Sequence, residues 1–180
     1  MMYLLRAFSL PKWSLNLDKT LNNFETDPIT VCTRTKDNEL SVWLTDSTSW
    51  TSELTKKIIT AFAVNKDAPA TTDFIFLDGE FLRGKGVKIS EKEAETPYTS
   101  MNSYHRDLSD LTYEKIGIVC EHLVEQLKVD TNIFRLEKAD MVKWVVDVYS
   151  AEEGLFDLDD LSDKWQKAIN RELDSRKVIV

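Results

Sequence analysis

Cysteine, histidine, basic charge and long apolar runs are all scarce in this chain, and each scarcity removes a class of function. The two cysteines, Cys32 and Cys120, lie far apart, each inside an apolar run. That is no disulfide framework, and it fits a reducing compartment. With only two histidines, His105 and His122, no pair stands at the close separations that structural zinc sites use. Residues 1–5 are apolar, but Arg6 stops them well short of a secretory leader's hydrophobic region, and no apolar run approaches the roughly 20 residues that span a bilayer. The expectation is a cytoplasmic protein that does not enter a membrane. Lys and Arg number 23 against 31 Asp and Glu, and the formal net charge of −8 repels a phosphate backbone at long range. Nucleic acid is a disfavoured partner. No internal repeat is visible.

What is present is the material of a globular core. In 180 residues, 42% hydrophobic and 30% charged, the chain can bury one domain or two closely packed lobes. The clearest amphipathic stretch is 111–127: Tyr113, Ile116, Val119, Cys120, Leu123, Val124 and Leu127 share one face at 100° per residue. Glu114, Glu121, Glu125 and Lys128 take the other, with His122 among the polar positions. Asp107 and Asp110 precede it, where short carboxylates can cap a first turn.

Residues 2–8 read as a first strand ended by Pro11, and Trp13 to Leu21 as a short helix or packed loop. Period-two alternation over 29–34 and 40–44, broken by Lys36-Asp37-Asn38, predicts an antiparallel hairpin. A helix follows from about Trp50 to Asn65, capped within 46–49. Asp73 to Leu77 reads as a strand, Asp78-Gly79 as a hairpin turn, and 81–89 as the returning strand with a bulge at Gly84 and Gly86. Composition shifts after Ser90, which predicts an α+β half over 1–95 and a helical half over 96–180, packed as one compact domain. The helical half carries a second helix over 137–150, whose apolar positions cover more than half its circumference. A third helix contains Trp165, with Asp157 as N-cap. The expected fold class is α+β, an antiparallel sheet of four to five strands with one packed helix followed by three helices.

No arrangement specifies a reaction. A thiol nucleophile needs a base, and the helical wheel separates Cys120 from His122, leaving Cys120 a core residue. Asp157, Asp159 and Asp163 lack the glycine and closing glutamate of a calcium loop. Asp73, Asp78, Glu80, Lys85 and Lys88 lack the spacing of a metal-dependent nuclease, and Arg83-Gly84-Lys85-Gly86 does not join a strand to a helix as a phosphate loop must. No catalytic residue, metal ligand or cofactor follows. The reading is a non-enzymatic protein-interaction module. Its alternative is a small-molecule-binding or metal-dependent enzyme whose site is assembled only in three dimensions. The partner is a protein, met through an acidic or apolar surface; the acidic run 152–163, where Glu152, Glu153 and Asp159 have no structural task, suits one of basic character. The broad apolar arc of 137–150 leaves monomer and homodimer open, and the apolar tail Val178-Ile179-Val180 can add as an edge strand in cis or to a partner.

Overall fold

The computed structural model describes residues 2–152 and 154–177. Among them, in chain order, are β1 (Tyr3–Phe8), α1 (Leu10–Trp13), α2 (Thr26–Cys32), β2 (Leu40–Thr45), α3 (Glu53–Val64), β3 (Thr72–Asp78), α4 (Gly79–Gly84), β4 (Lys88–Glu91), β5 (His105–Ser109), α5 (Tyr113–Leu127), β6 (Ile133–Leu136), α6 (Lys138–Ala151) and α7 (Asp163–Lys177). The class is α+β, as expected. The sheet has six strands where four to five were expected, in the order β4-β5-β2-β1-β3-β6. Pairs β1 with β2, β1 with β3, β2 with β5 and β4 with β5 are antiparallel.

The chain divides into two compact units, each assembled from three separated segments. The first holds the sheet apart from the end residues Thr72 and Leu136. Period-two alternation puts Leu4, Val42, Ile75, Leu77 and Leu108 on one sheet face, where they form a core with Val119, Cys120, Leu123, Val124 and Leu127 of α5. Fully burying such a side chain contributes about 1.5–3 kcal/mol, so this stripe outweighs any single polar contact in the unit. Leu5, Trp43, Phe74 and Phe76 lie on the opposite face and are buried too.

The start of α5 corrects the expected caps. Thr112, whose side chain accepts the Lys115 amide hydrogen, is the N-cap. Asp107 lies within β5. Asp110 has a left-handed φ of 53° and pairs with Lys88, whose hydrogen bond holds the Asp110 carboxyl below its usual range. Tyr113, placed on the apolar stripe by spacing, is 97% exposed: it is the first residue of the helix, a turn ahead of Ile116, with nothing laid over it.

Two hairpin expectations also change. Asp37 and Asn38 do form a two-residue turn with left-handed φ values of 56° and 60°, and Lys36 and Glu39 exchange both backbone hydrogen bonds across it. The arm before it is helical, however: Ile29, Thr30 and Val31 belong to α2, with Asp27 and Pro28 in the first turn, where a missing N–H does no harm. Asp78-Gly79 is no hairpin turn either. The Asp78 carboxylate accepts the amides of Glu80 and Phe81 and so caps α4. A Cβ at Gly79 would crowd the Met2 carbonyl oxygen at 3.1 Å, as well as the movable end of the Met2 side chain, so the close approach of the chain at the start of β1 favours glycine there. The stretch read as a long strand is therefore α4, Gly86 in the left-handed region (φ 80°), and the four-residue β4.

The second unit carries α3, α6 and α7. Ser52, accepting from the Thr55 amide, caps α3 in place of a residue within 46–49, and Trp50 lies before the helix. The broad apolar arc of α6 is flanked within this unit by α3 and α7. Met141, Val145, Val146 and Val148 are buried, Trp144 Nε1 donates to the Lys56 carbonyl at 3.3 Å, and Tyr149 packs on Phe156 with ring centroids 5.2 Å apart. Asp157 caps a short 3₁₀ turn, Leu158–Asp160, and not α7 itself. It is Ser162 that receives the Trp165 amide, at 3.4 Å. The Val178-Ile179-Val180 tail lies outside the described residues. No helix among the described residues is long and apolar enough to cross a membrane.

Candidate functional site

The polar residues singled out by sequence are mostly occupied with local structure. Asp73 accepts from the Leu10 amide at 2.8 Å and from Arg135 at 2.9 Å; Asp78 caps α4; Glu80 faces Arg83 at 3.8 Å; Lys88 holds Asp110. Each carboxylate thus has a separate partner. Among the described residues no group of three or more His, Cys, Asp or Glu is placed to hold a metal ion. Cys120 is fully buried with its Sγ 3.9 Å from Thr33 Oγ1, and burial pushes the thiol up to about 11. A thiol of that kind carries almost no thiolate at neutral pH. His105 is closed into a network: its Nδ1 lies 2.8 Å from the Lys92 carbonyl, its ring meets Trp43 edge-on at 5.2 Å, and Lys92 bridges Glu39 and Asp107.

Of the acidic candidates, Glu152 is exposed and pairs with Lys57, which gives it a structural task that its sequence position did not show. Asp159 is exposed, its backbone amide taken by Asp157 at 3.0 Å. Glu153 lies outside the described residues. Neither Glu152 nor Asp159 lines the concavity between α6 and α7 or the one beside α4 and α5.

The first of these concavities lies in the second unit. Ala139 and Val142 of α6, Ala168 of α7 and the Ala68-Pro69 loop are too small to fill the seam between the two helices. They leave a groove of about 730 Å³ with an apolar floor. Its rim is cationic. Lys164, Lys167 and Arg171 recur at three- and four-residue spacing along α7, and Lys138 and Lys143 project from α6. Lys143 is paired with Asp140 at 3.3 Å, and the rim carboxylate Glu172 with Arg176 at 2.9 Å. Lys138, Lys164, Lys167 and Arg171 have no ion pair among the described residues. Four uncompensated cations around one apolar floor, in a chain of net charge −8, repel one another and attract an anionic surface.

A second concavity, of about 470 Å³, lies in the first unit between α4, α5 and the segment around Leu21 and Phe24. The helical wheel had put His122 on the solvent side of α5. It is 4% exposed, because α4 covers a second face of that helix. Its Nε2 accepts the Asp78 amide at 2.9 Å and its ring stacks on Phe81 at 4.5 Å. Burial lowers its pKa, against the opposing pull of Asp78 and Glu125. A backbone amide can only donate, so the imidazole is neutral and Nδ1 carries its hydrogen.

Sequence reasoning missed both places. The α7 cations were legible as a polar face, but nothing in a linear sequence brings Lys138 and Lys143 to the same rim. In comparisons with protein-family models, with curated proteins and with solved structures, nothing matches the chain.

Proposed function

We propose that the chain is a non-enzymatic protein-interaction module, and that the groove between α6 and α7 receives an acidic amphipathic segment of its partner. The observation that carries this reading is the groove's pairing of an apolar floor with four cations that have no ion pair among the described residues. A helix laid in such a groove buries its apolar ridge on Ala139, Val142 and Ala168 while its flanking carboxylates reach the two rims. Charge complementarity sets the sign of the partner and speeds encounter. A flat lipid surface cannot follow a concave floor, and a nucleic-acid backbone has no apolar ridge to place there. The acidic residues Glu152, Glu153 and Asp159 point to a basic partner instead. The groove takes precedence because it offers enclosed apolar area, where exposed carboxylates offer charge alone.

Two further parts of the reading have support of the same kind. Both cysteines are buried and unpaired, which favours a cytoplasmic setting. The flanking of α6 by α3 and α7 favours a monomer over a homodimer. The experiment is fluorescence anisotropy with a labelled helical peptide bearing Leu and Ala on one face and Glu on its flanks. The expected result is saturable binding that weakens with salt and is lost in the triple variant K164E/K167E/R171E. A charge-reversed peptide, a short DNA duplex and anionic vesicles serve as competitors. If the vesicles or the DNA bind and the acidic peptide does not, the protein-interaction reading is wrong.

A further inference from the structure

The cleft at His122 belongs to no part of the interaction surface, and its chemistry differs. We propose that it is a small-molecule site for an aromatic monocarboxylate, held by His122 Nδ1–H and the Lys85 ammonium, with the ring of the ligand lodged against Phe24 and Leu21.

The tautomer supplies the first half. With Nε2 committed to the Asp78 amide at 2.9 Å, the one polar group His122 has left for a ligand is the Nδ1–H donor, which has no acceptor among the described residues. That donor is not sealed from solvent, and a charge-assisted hydrogen bond to an anion in the cleft is stronger than the one water gives it. Lys85 supplies the second half. Its Nζ lies 5.7 Å from the centroid of the Phe81 ring, and that ring is the one stacked on His122. Both groups neighbour the same phenyl ring and both line the cleft, and the exposed Lys85 side chain is free to swing its ammonium towards a bound carboxylate. Lys85 is also the lining cation not tied to a carboxylate: Lys19 pairs with Glu25, and Lys128 with Glu125 at 2.8 Å.

The class of ligand follows from the rest of the lining. Leu21, Phe24 and Ile118 offer an apolar wall with an aromatic edge, suited to a flat body. Glu121 also borders the cleft and has no ion pair among the described residues. It opposes a second negative charge, and this favours a carboxylate over a phosphate monoester.

Benzoate is the probe, titrated into the intact chain and followed by the ring ¹⁵N signals of His122. The expected result is saturable binding that shifts Nδ1 and leaves the line shape of Nε2 that of an acceptor. Phenyl phosphate should bind more weakly, and acetate, a head without a body, weaker still. Lys85→Ala changes an exposed side chain and should weaken benzoate about tenfold, the loss expected of one charge-assisted contact. His122→Phe keeps the stacked ring and removes the donor, and should abolish binding. If that variant does not fold, Lys85→Ala alone carries the test. Absence of saturable binding up to about 10 mM, where affinity is already below about 3 kcal/mol, overturns the site. Binding indifferent to Lys85→Ala overturns the assigned contacts, and phenyl phosphate binding as tightly as benzoate overturns the ligand class. None of these outcomes touches the groove, whose peptide test stands separately.

Discussion

The two concavities treat their cations in opposite ways. Around His122, Lys19 and Lys128 are tied to Glu25 and Glu125, and Lys85 rests over Phe81. On the rim between α6 and α7, Lys138, Lys164, Lys167 and Arg171 have no ion pair among the described residues. A site whose charges are already partnered gains little from long-range attraction and must rely on fixed donors and shape. A site of unpaired charges gains on encounter and loses that gain to screening. Binding in the groove, with four such cations, should therefore fall steeply between low and physiological salt, and binding at the His122 cleft, where Lys85 is the one lining cation without a carboxylate partner, should fall less.

The largest expected effect breaks the groove from beneath. Trp165 is fully buried on the inner side of α7, and Trp165→Ala should reduce stability by about 3–5 kcal/mol in urea unfolding. Acidic-peptide binding should disappear with it. A loss below about 1 kcal/mol would mean that α7 does not depend on this anchor, and the groove floor would need another support.

Cys120 provides the smaller counterpart in the first unit. It is fully buried against Thr33, so Cys120→Ala should lose about 1 kcal/mol of packing and remain soluble. In the folded protein a thiol reagent should label Cys120 slowly. Rapid labelling, at the rate of a free thiol, would contradict both its burial and the raised pKa.

The pH dependence separates the two regions more finely. The folded-state pKa of His122 lies below its ordinary value of 6.5, and burial is the main cause. The unfolded chain thus binds the proton more readily than the folded one. The stabilisation from neutral His122 is fully present above pH 6.5 and declines as the pH falls through that value. Protonation would also set an N–H against the Asp78 amide. Thermal unfolding from pH 7.5 to 5 should show this decline, and a folded His122→Phe variant should lack it.

How much of this was legible follows from how each signal arises. The stripes of α3, α5 and α6 are apolar at helical spacing, and burial followed them except at Tyr113, the exposed first residue of α5. The 29–33 stretch, Ile-Thr-Val-Cys-Thr, is β-branched and reads as strand; α2 forms there because Asp27 and Pro28 start a helix whose buried side contributes Cys32 and Ile29 to the core. Strand β5 was invisible because its sequence, His-Arg-Asp-Leu-Ser, is polar in an interior position between β2 and β4. Only tertiary partners make that tolerable: Lys92 for Asp107, the Lys92 carbonyl for His105, and Ser90 facing Ser109. His122 was hidden for a related reason, since its burial depends on α4, a helix that Asp78-Gly79 concealed as a hairpin. The groove depends on which two helices lie side by side, and no local pattern encodes that.

The smallest expected effect concerns Glu152, Glu153 and Asp159, and it decides the sign of the partner. Their replacement by lysine costs little stability: the Glu152 pair with Lys57 is partly exposed, and such pairs contribute about 0–1 kcal/mol. Their influence on binding acts through the long-range field, which extends about 30 Å at 0.01 M salt and about 8 Å at physiological strength. If the partner presents an acidic segment to the groove, the wild-type carboxylates oppose its approach. The triple lysine variant should then bind the acidic peptide slightly faster at low salt and at an unchanged rate at physiological salt. If instead the acidic run itself receives a basic partner, the same variant should slow association with a basic peptide while leaving the acidic one unaffected. Stopped-flow association rates at the two salt concentrations distinguish these outcomes. A rate for the acidic peptide that falls on lysine substitution would mean that the groove's cations are not what draws it in.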